Sequence, residues 1–463
     1  MARLRRGIST RRLVLILGLL AVVGVGGYLA YRSPWLRARL ARDSENAAEI
    51  AKLSEKKLEV QPAADPATGS PGWRGATHDG RAPVGPFRTD WEKNPLNLVW
   101  KFDCGGGYSS CAVVGGKVYT QDYKDGNERV ICVDGTTAPP KLLWEYSYGV
   151  DYKKIRGGYA GGPRATPSVD GNRVYAVGAL GKFVCLDAVK GTPIWEHDLI
   201  ADFNASVPQW GVACSPLVEG DLVIVQPGGS GGSVVAFDKN SGEVRWTAGK
   251  NPSGYSSPVG AAVGGQRVIF ALTADALLAI RTADGKVTDS YSWKTEFGGN
   301  VATPLVVDDY VFISAAYGMG CALLRAEAKS DEVKLVEVYT RRGRGLQNHH
   351  CTSVFKDRFL YGFDGMNGAR LKCIDFDTGK EKPDWDASGV GKGSILLADR
   401  HLIIQTERGE LCLIEATPEE FRLVAKIPKV LTGNNNWATP TLVDGRLYLR
   451  DDEKIVCYDV RPQ

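Results

Sequence analysis

The sequence predicts an all-β protein, an eight-bladed β-propeller of four-stranded blades preceded by one N-terminal transmembrane helix. Three observations lead to this prediction. An uncharged apolar stretch lies near the N-terminus, a motif of two small residues and a proline recurs along the chain, and a cysteine and a tryptophan recur behind that motif. The 55 glycines among 463 residues, set between short apolar runs, favour strands joined by tight turns.

The apolar stretch, residues 13–31, is long enough to cross a hydrocarbon core. The tail before it, residues 1–12, holds five arginines, which predicts that the tail stays in the cytoplasm. Further arginines follow the stretch and weaken this orientation without reversing it. A cleaved signal peptide is the alternative, but the apolar run exceeds a usual signal core and no small-x-small cleavage site follows closely.

Residues 32–72 are rich in alanine, glutamate, lysine and proline, which is typical of a partly helical stalk and a flexible linker. The body, residues 73–463, is then expected on the periplasmic side of a bacterial inner membrane. The formal net charge is +4, and the body shows no basic stripe that would indicate nucleic acid.

The proline motif sets the period of the body. Successive prolines lie 49, 42, 46 and 136 residues apart, and the last interval fits three repeat periods, with the proline lost near Ser353 and near Ile395. An earlier copy begins at Ser109, with cysteine in place of proline. The five complete motifs are Ala165-Thr166-Pro167, Cys214-Ser215-Pro216, Ser256-Ser257-Pro258, Ala302-Thr303-Pro304 and Ala438-Thr439-Pro440. A period of this length indicates a repeat architecture.

Each copy holds four short strands, which bury both faces only when copies stack in a ring. The final copy ends after three strands. Residues 97–102, which precede the first copy, match the missing fourth strand. We therefore predict that they close the ring by pairing beside residues 454–458, which removes two exposed sheet edges.

Two copies share the spacing Asp-x3-Gly-x3-Trp, from Asp187 to Trp195 and from Asp238 to Trp246. This pattern resembles the tryptophan-docking repeat of the pyrroloquinoline-quinone (PQQ) family, found in quinoprotein dehydrogenases and in the outer-membrane assembly lipoprotein. The lead-in from Trp73 to Gly80 is similar to that of bacterial PQQ-like repeat proteins. The resemblance implies that each tryptophan packs between neighbouring blades. WD-repeat propellers are the alternative, but no regular Gly-His to Trp-Asp pairing is present.

The cysteines follow the repeat. Five of them occupy one place in the third strand of five blades, where alanine stands in two other blades; they are Cys132, Cys185, Cys373, Cys412 and Cys457. A small apolar residue at a repeated position indicates packing. The other five could form a bridge or stay free; they are Cys104, Cys111, Cys214, Cys321 and Cys351. No metal site is expected, because the sole close cluster, His349-His350-Cys351, alternates between the faces of a strand.

Propellers usually bind ligands where loops lead into the innermost strands. The third residue before each proline marks this place and gives Tyr108, Arg164, Ala213, Tyr255, Val301, His350, Lys392 and Trp437, without a carboxylate. With residues from the adjoining loops, the predicted binding face is Tyr108, Arg164, Trp210, Tyr255, Asn300, His350, Lys392 and Trp437. Aromatic and guanidinium groups suit a planar anion or an acidic peptide. The alternative is that these side chains only fill and solvate the channel mouth.

These features predict a membrane-tethered module that binds a protein or a ligand, with a role in envelope assembly and with another exported protein as partner. The alternative is a PQQ-dependent alcohol or sugar dehydrogenase. The resemblance to that enzyme class would imply PQQ held against a disulfide of adjacent cysteines, calcium held by carboxylates and an aspartate base. This chain has no adjacent cysteines, and its aligned ring has no acid. The sequence therefore favours a binding module without a cofactor over an enzyme.

Overall fold

A computed structural model describes residues 34–60, 69–83, 85–157, 161–433 and 435–462. The predicted cytoplasmic tail and transmembrane anchor, residues 1–31, lie outside these ranges. Among the residues described, no helix combines the length and the hydropathy needed to cross a membrane. One helix, Pro34–Ser54, forms within the predicted stalk and belongs to a unit separate from the sheets. Its alanines, arginines and glutamates are good helix formers.

The sheets are antiparallel meanders, in which strands adjacent in sequence are adjacent in the sheet. Blade 1 contains β2 (Ala112–Val114), β3 (Lys117–Lys124), β4 (Asn127–Asp134) and β5 (Lys141–Gly149). Blade 2 contains β6 (Ser168–Asp170), β7 (Arg173–Val177), β8 (Lys182–Asp187) and β9 (Pro193–Asp198). Blade 3 contains β10 (Leu217–Glu219), β11 (Leu222–Val225), β12 (Val234–Asp238) and β13 (Val244–Ala248). Blade 4 contains β14 (Val259–Val263), β15 (Gln266–Leu272), β16 (Ala276–Arg281) and β17 (Val287–Ser292).

The second half of the ring repeats this order. Blade 5 contains β18 (Leu305–Val307), β19 (Tyr310–Ala315), β20 (Gly320–Lys329) and β21 (Glu332–Arg341). Blade 6 contains β22 (Val354–Lys356), β23 (Phe359–Asp364) and β24 (Arg370–Asp375), and a single bridge from Ile374 to Glu381 stands in place of a fourth strand. Blade 7 contains β25 (Gly393–Ala398), β26 (His401–Thr406), β27 (Leu411–Glu415) and β28 (Leu423–Ile427). Blade 8 contains β29 (Thr441–Val443), β30 (Arg446–Arg450) and β31 (Lys454–Asp459). Short helical turns at Tyr152–Lys154, Leu199–Asp202 and Glu296–Gly298 lie in loops between blades.

Blade 8 is completed by β1 (Asn97–Asp103), which pairs antiparallel with β31. Lys101 lies opposite Val456, as the sequence predicted for the closing strand. The innermost strands of neighbouring blades contact each other, and β2 of blade 1 contacts β29 of blade 8. The eight-bladed propeller predicted from the repeat is thus confirmed.

Tryptophan side chains join one blade to the next. Trp144 Nε1 donates a hydrogen bond to Ala188 O over 3.1 Å, and its indole covers Gly191 of blade 2. A Cβ added to Gly191 would lie 2.6 Å from that ring, and the φ angle of +69° also favours glycine there. Asp187 accepts hydrogen bonds from two backbone N–H groups within the same turn. The Asp-x3-Gly-x3-Trp spacing therefore encodes a turn that receives one indole and a strand that supplies the next.

The fourth strand of blade 5 contains no tryptophan, but this blade keeps the contact with the next one. Tyr339 lies on Gly379 of blade 6, and its hydroxyl donates to Phe376 O over 3.0 Å. A tyrosine retains a flat ring and a donor at its far end, so it can replace the indole N–H. The pairing between neighbouring blades thus survives a change of residue type.

The five repeated cysteines are buried, each within the third strand of its blade. Cys132 pairs with Trp144 across the strands, and Cys457 pairs with Trp100 in the same way. A small side chain at this place leaves room for the neighbouring indole, so the packing interpretation holds. All ten thiols are free, which answers the question that the sequence left open for the other five.

The lead-in segment crosses the channel. Ser70 exchanges backbone hydrogen bonds with Val113 of blade 1, and Ala82 N donates to Leu397 O of blade 7. Between them, the guanidinium of Arg74 donates to backbone carbonyls at Thr352 and beside it in blade 6. Arg74 is buried, and its burial lowers the pKa of the guanidinium to about 10. Pro71 O also accepts a hydrogen bond from Val169 N of blade 2, so the segment contacts blades 2 and 6, which lie opposite each other in the ring.

Candidate functional site

A cavity of about 340 Å³ opens on the face where loops lead into the innermost strands. The meander brings the turns between second and third strands to the same face. Nine of its sixteen lining residues carry aromatic or imidazole rings: Trp73, Tyr108, Trp210, Tyr255, Phe297, Tyr317, His349, His350 and Trp437. The other lining residues are Arg164, Ala213, Ser215, Ser257, Val301, Thr303 and Met366. Cavities of this size and composition suit small ligands or single side chains.

The rings form a continuous arc around the mouth. On one side, Trp210 lies 5.5 Å from Tyr255 and 6.0 Å from Phe297, measured between ring centroids. On the other side, His350 and Tyr108 both stack on Trp437, at 3.9 Å and 4.7 Å. Tyr317 and His349 link the two sides, through Phe297 at 6.1 Å and His350 at 3.8 Å. Adjacent rings fix one another, so the arc is preorganised.

Arg164 brings a positive charge into this wall. Its guanidinium lies 5.5 Å from the ring centroid of Tyr108, within cation–π range, and donates a hydrogen bond to Gly162 O. Burial lowers the pKa of the group from its ordinary value, although an arginine remains charged near neutral pH. Arg164 is the one formally charged side chain among the described lining residues.

A polar group stands behind the imidazoles. Lys392 Nζ donates to His349 Nδ1 over 3.0 Å and forms an ion pair with Glu407 Oε1 over 3.1 Å. The same carboxylate oxygen accepts the Trp437 Nε1–H over 2.7 Å. Burial and the nearby ammonium lower the pKa of His349 to about 4, and burial lowers the pKa of His350 well below its ordinary value. Both imidazoles are therefore neutral at pH 7.

The structure gathers most of the predicted binding face. Lys392 lies behind the lining rather than in it, where it supports His349. Asn300 is fully buried and lies outside the lining, because its amide donates to the carbonyls of Thr273 and Trp293. Six of the eight predicted residues line the cavity: Tyr108, Arg164, Trp210, Tyr255, His350 and Trp437.

Comparing the repeats of the sequence did not identify several residues of the site. Tyr317 and Met366 follow second strands, and counting those turns along each repeat would have found them. Trp73 enters from the lead-in segment and donates to Thr303 Oγ1 over 2.9 Å. Glu407 places a carboxylate beside the mouth that the aligned positions do not contain. Phe297 has no periodic counterpart, so only the structure reveals it.

Residues 141–382, just over half of the chain, match the family described as outer membrane protein assembly factor BamB. The chain belongs to this family. No functionally curated protein matches it. The family resemblance that the docking repeat predicted is thus confirmed, and the tryptophan contacts between blades are its structural basis.

Solved structures agree with the fold. BamB from Moraxella catarrhalis is 16% identical, with a TM-score of 0.55 over 79% of this chain and 99% of that one. A europium-containing methanol dehydrogenase is 14% identical, with a TM-score of 0.58 over 87% and 91% of the two chains. A quinohemoprotein alcohol dehydrogenase from Pseudomonas putida HK5 is 15% identical, with a TM-score of 0.55 over 85% and 82%. At these identities the similarity shows the fold alone.

Proposed function

We propose that this protein is an exported, membrane-tethered propeller that binds another protein of the cell envelope through the mouth of the aromatic cavity. The observation that carries the proposal is the arc of rings around a lining that has one cation and, among the described residues, no acid. Such a lining can bind an apolar or aromatic group, but it lacks the acid–base pair that most hydrolytic or dehydrogenase chemistry needs. Membership of the BamB family supports an assembly or binding role.

Phe297 is the part of the mouth best placed to touch a partner. Its side chain is 60% exposed, and its φ of +57° is a conformation that a phenylalanine rarely adopts. Strained backbone and an exposed aromatic ring at the rim of a cavity both favour a binding role, since neither improves folding. The ring of Phe297 lies between Trp210 and Tyr317, which hold it at the rim.

The sequence supports the tether. The apolar residues 13–31 follow five arginines, and the helix Pro34–Ser54 comes next in the sequence, before the propeller. We expect a reporter enzyme that folds only after export to be active when fused after residue 463. A reporter that fluoresces only in the cytoplasm should stay dark at the same position. The opposite pattern would overturn the exported location.

The partner can be captured from living cells. A photo-crosslinking amino acid in place of Phe297 should yield one discrete crosslinked band, whose second protein is identified by mass spectrometry. Val189 is the matched control, because it is 63% exposed and lies in a turn between third and fourth strands, on the opposite face. Equal capture from both positions, or capture from Val189 alone, would contradict binding through the mouth.

The PQQ-dependent dehydrogenase has less support. PQQ carries three carboxylates, whereas the described lining offers one guanidinium, and Lys392 is already paired with Glu407. No two cysteines are adjacent in the sequence, and the described residues hold no group of three His, Cys, Asp or Glu side chains close enough to bind a metal ion. Calorimetric titration of the full-length protein with PQQ, with and without calcium, tests the alternative. Tight stoichiometric binding would revive it.

A further inference from the structure

We propose that the cavity binds an aromatic ring that carries a single negative charge, with the ring against Trp437 and Tyr108 and the anion on Arg164. The inference rests on the proposed function in placing the binding site at this mouth. It goes further by naming the chemistry of the group that enters.

The shape of the cavity selects a flat group. The wall formed by His350, Trp437 and Tyr108 is a stack of nearly parallel rings, with interplanar angles of 22° and 29°. Flat rings line much of the cavity, and a planar π system packs against such rings with more contact than a branched aliphatic group does. The volume of about 340 Å³ admits one or two fused rings rather than a length of folded chain.

The charge of the wall selects an anion. Arg164 lies against Tyr108, the ring that also stacks on Trp437, so the cation and the stacking face share one edge of the cavity. Glu128 favours the charged form of Arg164 from behind the wall, but it does not line the cavity. Its carboxylate already accepts hydrogen bonds from the hydroxyls of Tyr148 and Tyr152. The described lining therefore contains the guanidinium of Arg164 and no carboxylate.

The same wall disfavours other charges. Lys392 is bound to Glu407 and His349. The described residues at the mouth therefore provide no comparable cation for a second anionic group on a ligand. The imidazoles of His349 and His350 are neutral, and they lend no charge either. A cationic ligand would meet Arg164 directly, and like charges in a partly desolvated site repel strongly.

Polar atoms in the lining can orient the group. Tyr255 accepts a hydrogen bond from Trp210 N over 3.3 Å, which leaves its own proton to donate into the cavity. The ring nitrogens of His350 contact no hydrogen-bonding partner among the described residues, although the ring lines the cavity. A neutral imidazole presents one donor and one acceptor. It therefore suits the ring N–H or hydroxyl group of an aromatic ligand.

Isothermal titration calorimetry with the full-length protein in detergent tests the class of ligand. Four probes separate ring from charge: indolepropionate, its neutral amide, the cation tryptamine and the non-aromatic monoanion cyclohexanepropionate. Indolepropionate should bind about tenfold or more tightly than its amide, since a hydrogen-bonded ion pair contributes on this scale. It should bind several-fold more tightly than cyclohexanepropionate, and tryptamine should show no binding.

Two substitutions assign the contacts. Arg164→Met should weaken indolepropionate to the level of the amide and leave the amide unchanged, whereas Trp437→Leu should weaken both. Arg344→Met is the matched control, because Arg344 is exposed on a loop of the same face and outside the lining. If Arg164→Met fails to fold, Arg164→Lys keeps the charge, and the acid should then retain its preference over the amide. Equal binding of acid and amide to the native protein would overturn the inference.

The group can come from a free small molecule or from an aromatic residue next to an acid in a polypeptide. A tetrapeptide with tryptophan followed by aspartate, blocked at both ends, carries the same chemistry in a chain. Tighter binding of the peptide than of indolepropionate assigns a polypeptide source, and weaker binding assigns a small molecule. If no probe binds while Phe297 still captures a partner, the ligand class is wrong and the proposed function stands. If probes bind and Phe297 captures no partner, the ligand class stands and the proposed function is wrong.

Discussion

The indole of Trp437 and the imidazole of His350 lie 3.9 Å apart between centroids, with their planes 22° from parallel. The two residues come from loops that lead into blades 8 and 6, so the packing of blades brings together rings that lie far apart in the sequence. The ring centroid of His349 lies 3.8 Å from that of His350, with the two planes tilted by 44°. The His350 side chain is thus held between two rings, and its orientation at the cavity is set by the propeller.

Acid should destabilise the protein through His349. Its pKa is about 4 in the folded state and near 6.5 when unfolded, so the unfolded chain binds more protons between these values. The free energy of unfolding should therefore fall as the pH drops from about 6.5 to about 4. In His349→Gln this part of the fall should disappear, and urea unfolding at pH 7.5 and 4.5 measures it.

The groups facing His349 set the sign of that effect. Lys392 and Tyr317 contact its two nitrogens, His350 covers its ring, and Glu407 reaches it only through Lys392. Protonation would place a second positive charge beside the ammonium. An unchanged pH dependence in His349→Gln would show that other groups dominate the acid response.

Substitutions at two glycines of blade 4 can separate the cost of displacing a docked indole from the cost of backbone strain. A Cβ on Gly285, at a φ of +75°, would lie 2.7 Å from the Trp246 ring, whereas one on Gly265, at +82°, would meet nothing within 4 Å. Gly265→Ala should therefore cost about 1 kcal/mol, from the left-handed conformation alone. Gly285→Ala should cost roughly 2–4 kcal/mol, because the indole must also move. Urea unfolding compares the two, and equal losses would contradict docking of Trp246 on Gly285.

Ring closure depends on one face of β1. Trp100 is 4% exposed and donates to Gly135 O of blade 1 over 2.9 Å, whereas Leu98 of the same strand is 48% exposed. Trp100→Ala should lower the free energy of unfolding by about 3–5 kcal/mol. Leu98→Ala should change it by about 0.5 kcal/mol or less. Similar losses in both variants would count against closure through the docked indole.

Phe297 should be needed for binding and not for folding. Phe297→Gly removes a strained residue whose ring is mostly exposed, so stability should stay within about 1 kcal/mol of the native protein. Partner recovery should fall markedly in the same variant, as measured by chemical crosslinking and affinity purification through a C-terminal tag. A large loss of stability would instead make Phe297 a structural residue.

The thiols should not react with a thiol reagent until the protein unfolds. Nine of the ten cysteines are buried, and burial raises the pKa of the tenth, Cys104, to about 11. Because the thiolate is the reactive form, the native protein should react with Ellman's reagent at less than one rapid equivalent. Ten equivalents should appear in guanidinium chloride without a reductant. Eight or fewer would indicate a disulfide.

The sequence was most informative where the structure is periodic. The proline motif, the repeated cysteine and the Asp-x3-Gly-x3-Trp spacing predicted the blade number, the docking contacts and the family. The strand order along each repeat also predicted that residues 97–102 would pair with β31. These features follow from short-range patterns, because a meander places neighbours in sequence beside each other in the sheet.

The site was predictable only in part. Counting back from each proline found Tyr108, Arg164 and Trp437, since each precedes an innermost strand by the same number of residues. The choice of residues from the adjoining loops included Asn300, whose amide donates to backbone carbonyls in the structure. It overlooked Trp73, which comes from outside the repeats. The position of a residue in the repeat determines where its backbone lies, but the direction of its side chain depends on packing against neighbouring blades.

The sequence by itself thus determined the propeller, the number of its blades, the strand that closes it and the aromatic and basic character of one face. Only the tertiary structure decided that the rings form one arc, that Arg164 shares a wall with Trp437, and that Lys392 is engaged by Glu407 behind that wall. The physical reason is that strand pairing is local within each repeat. The cavity, in contrast, is made of loops from different blades, whose distances are set only when the ring closes.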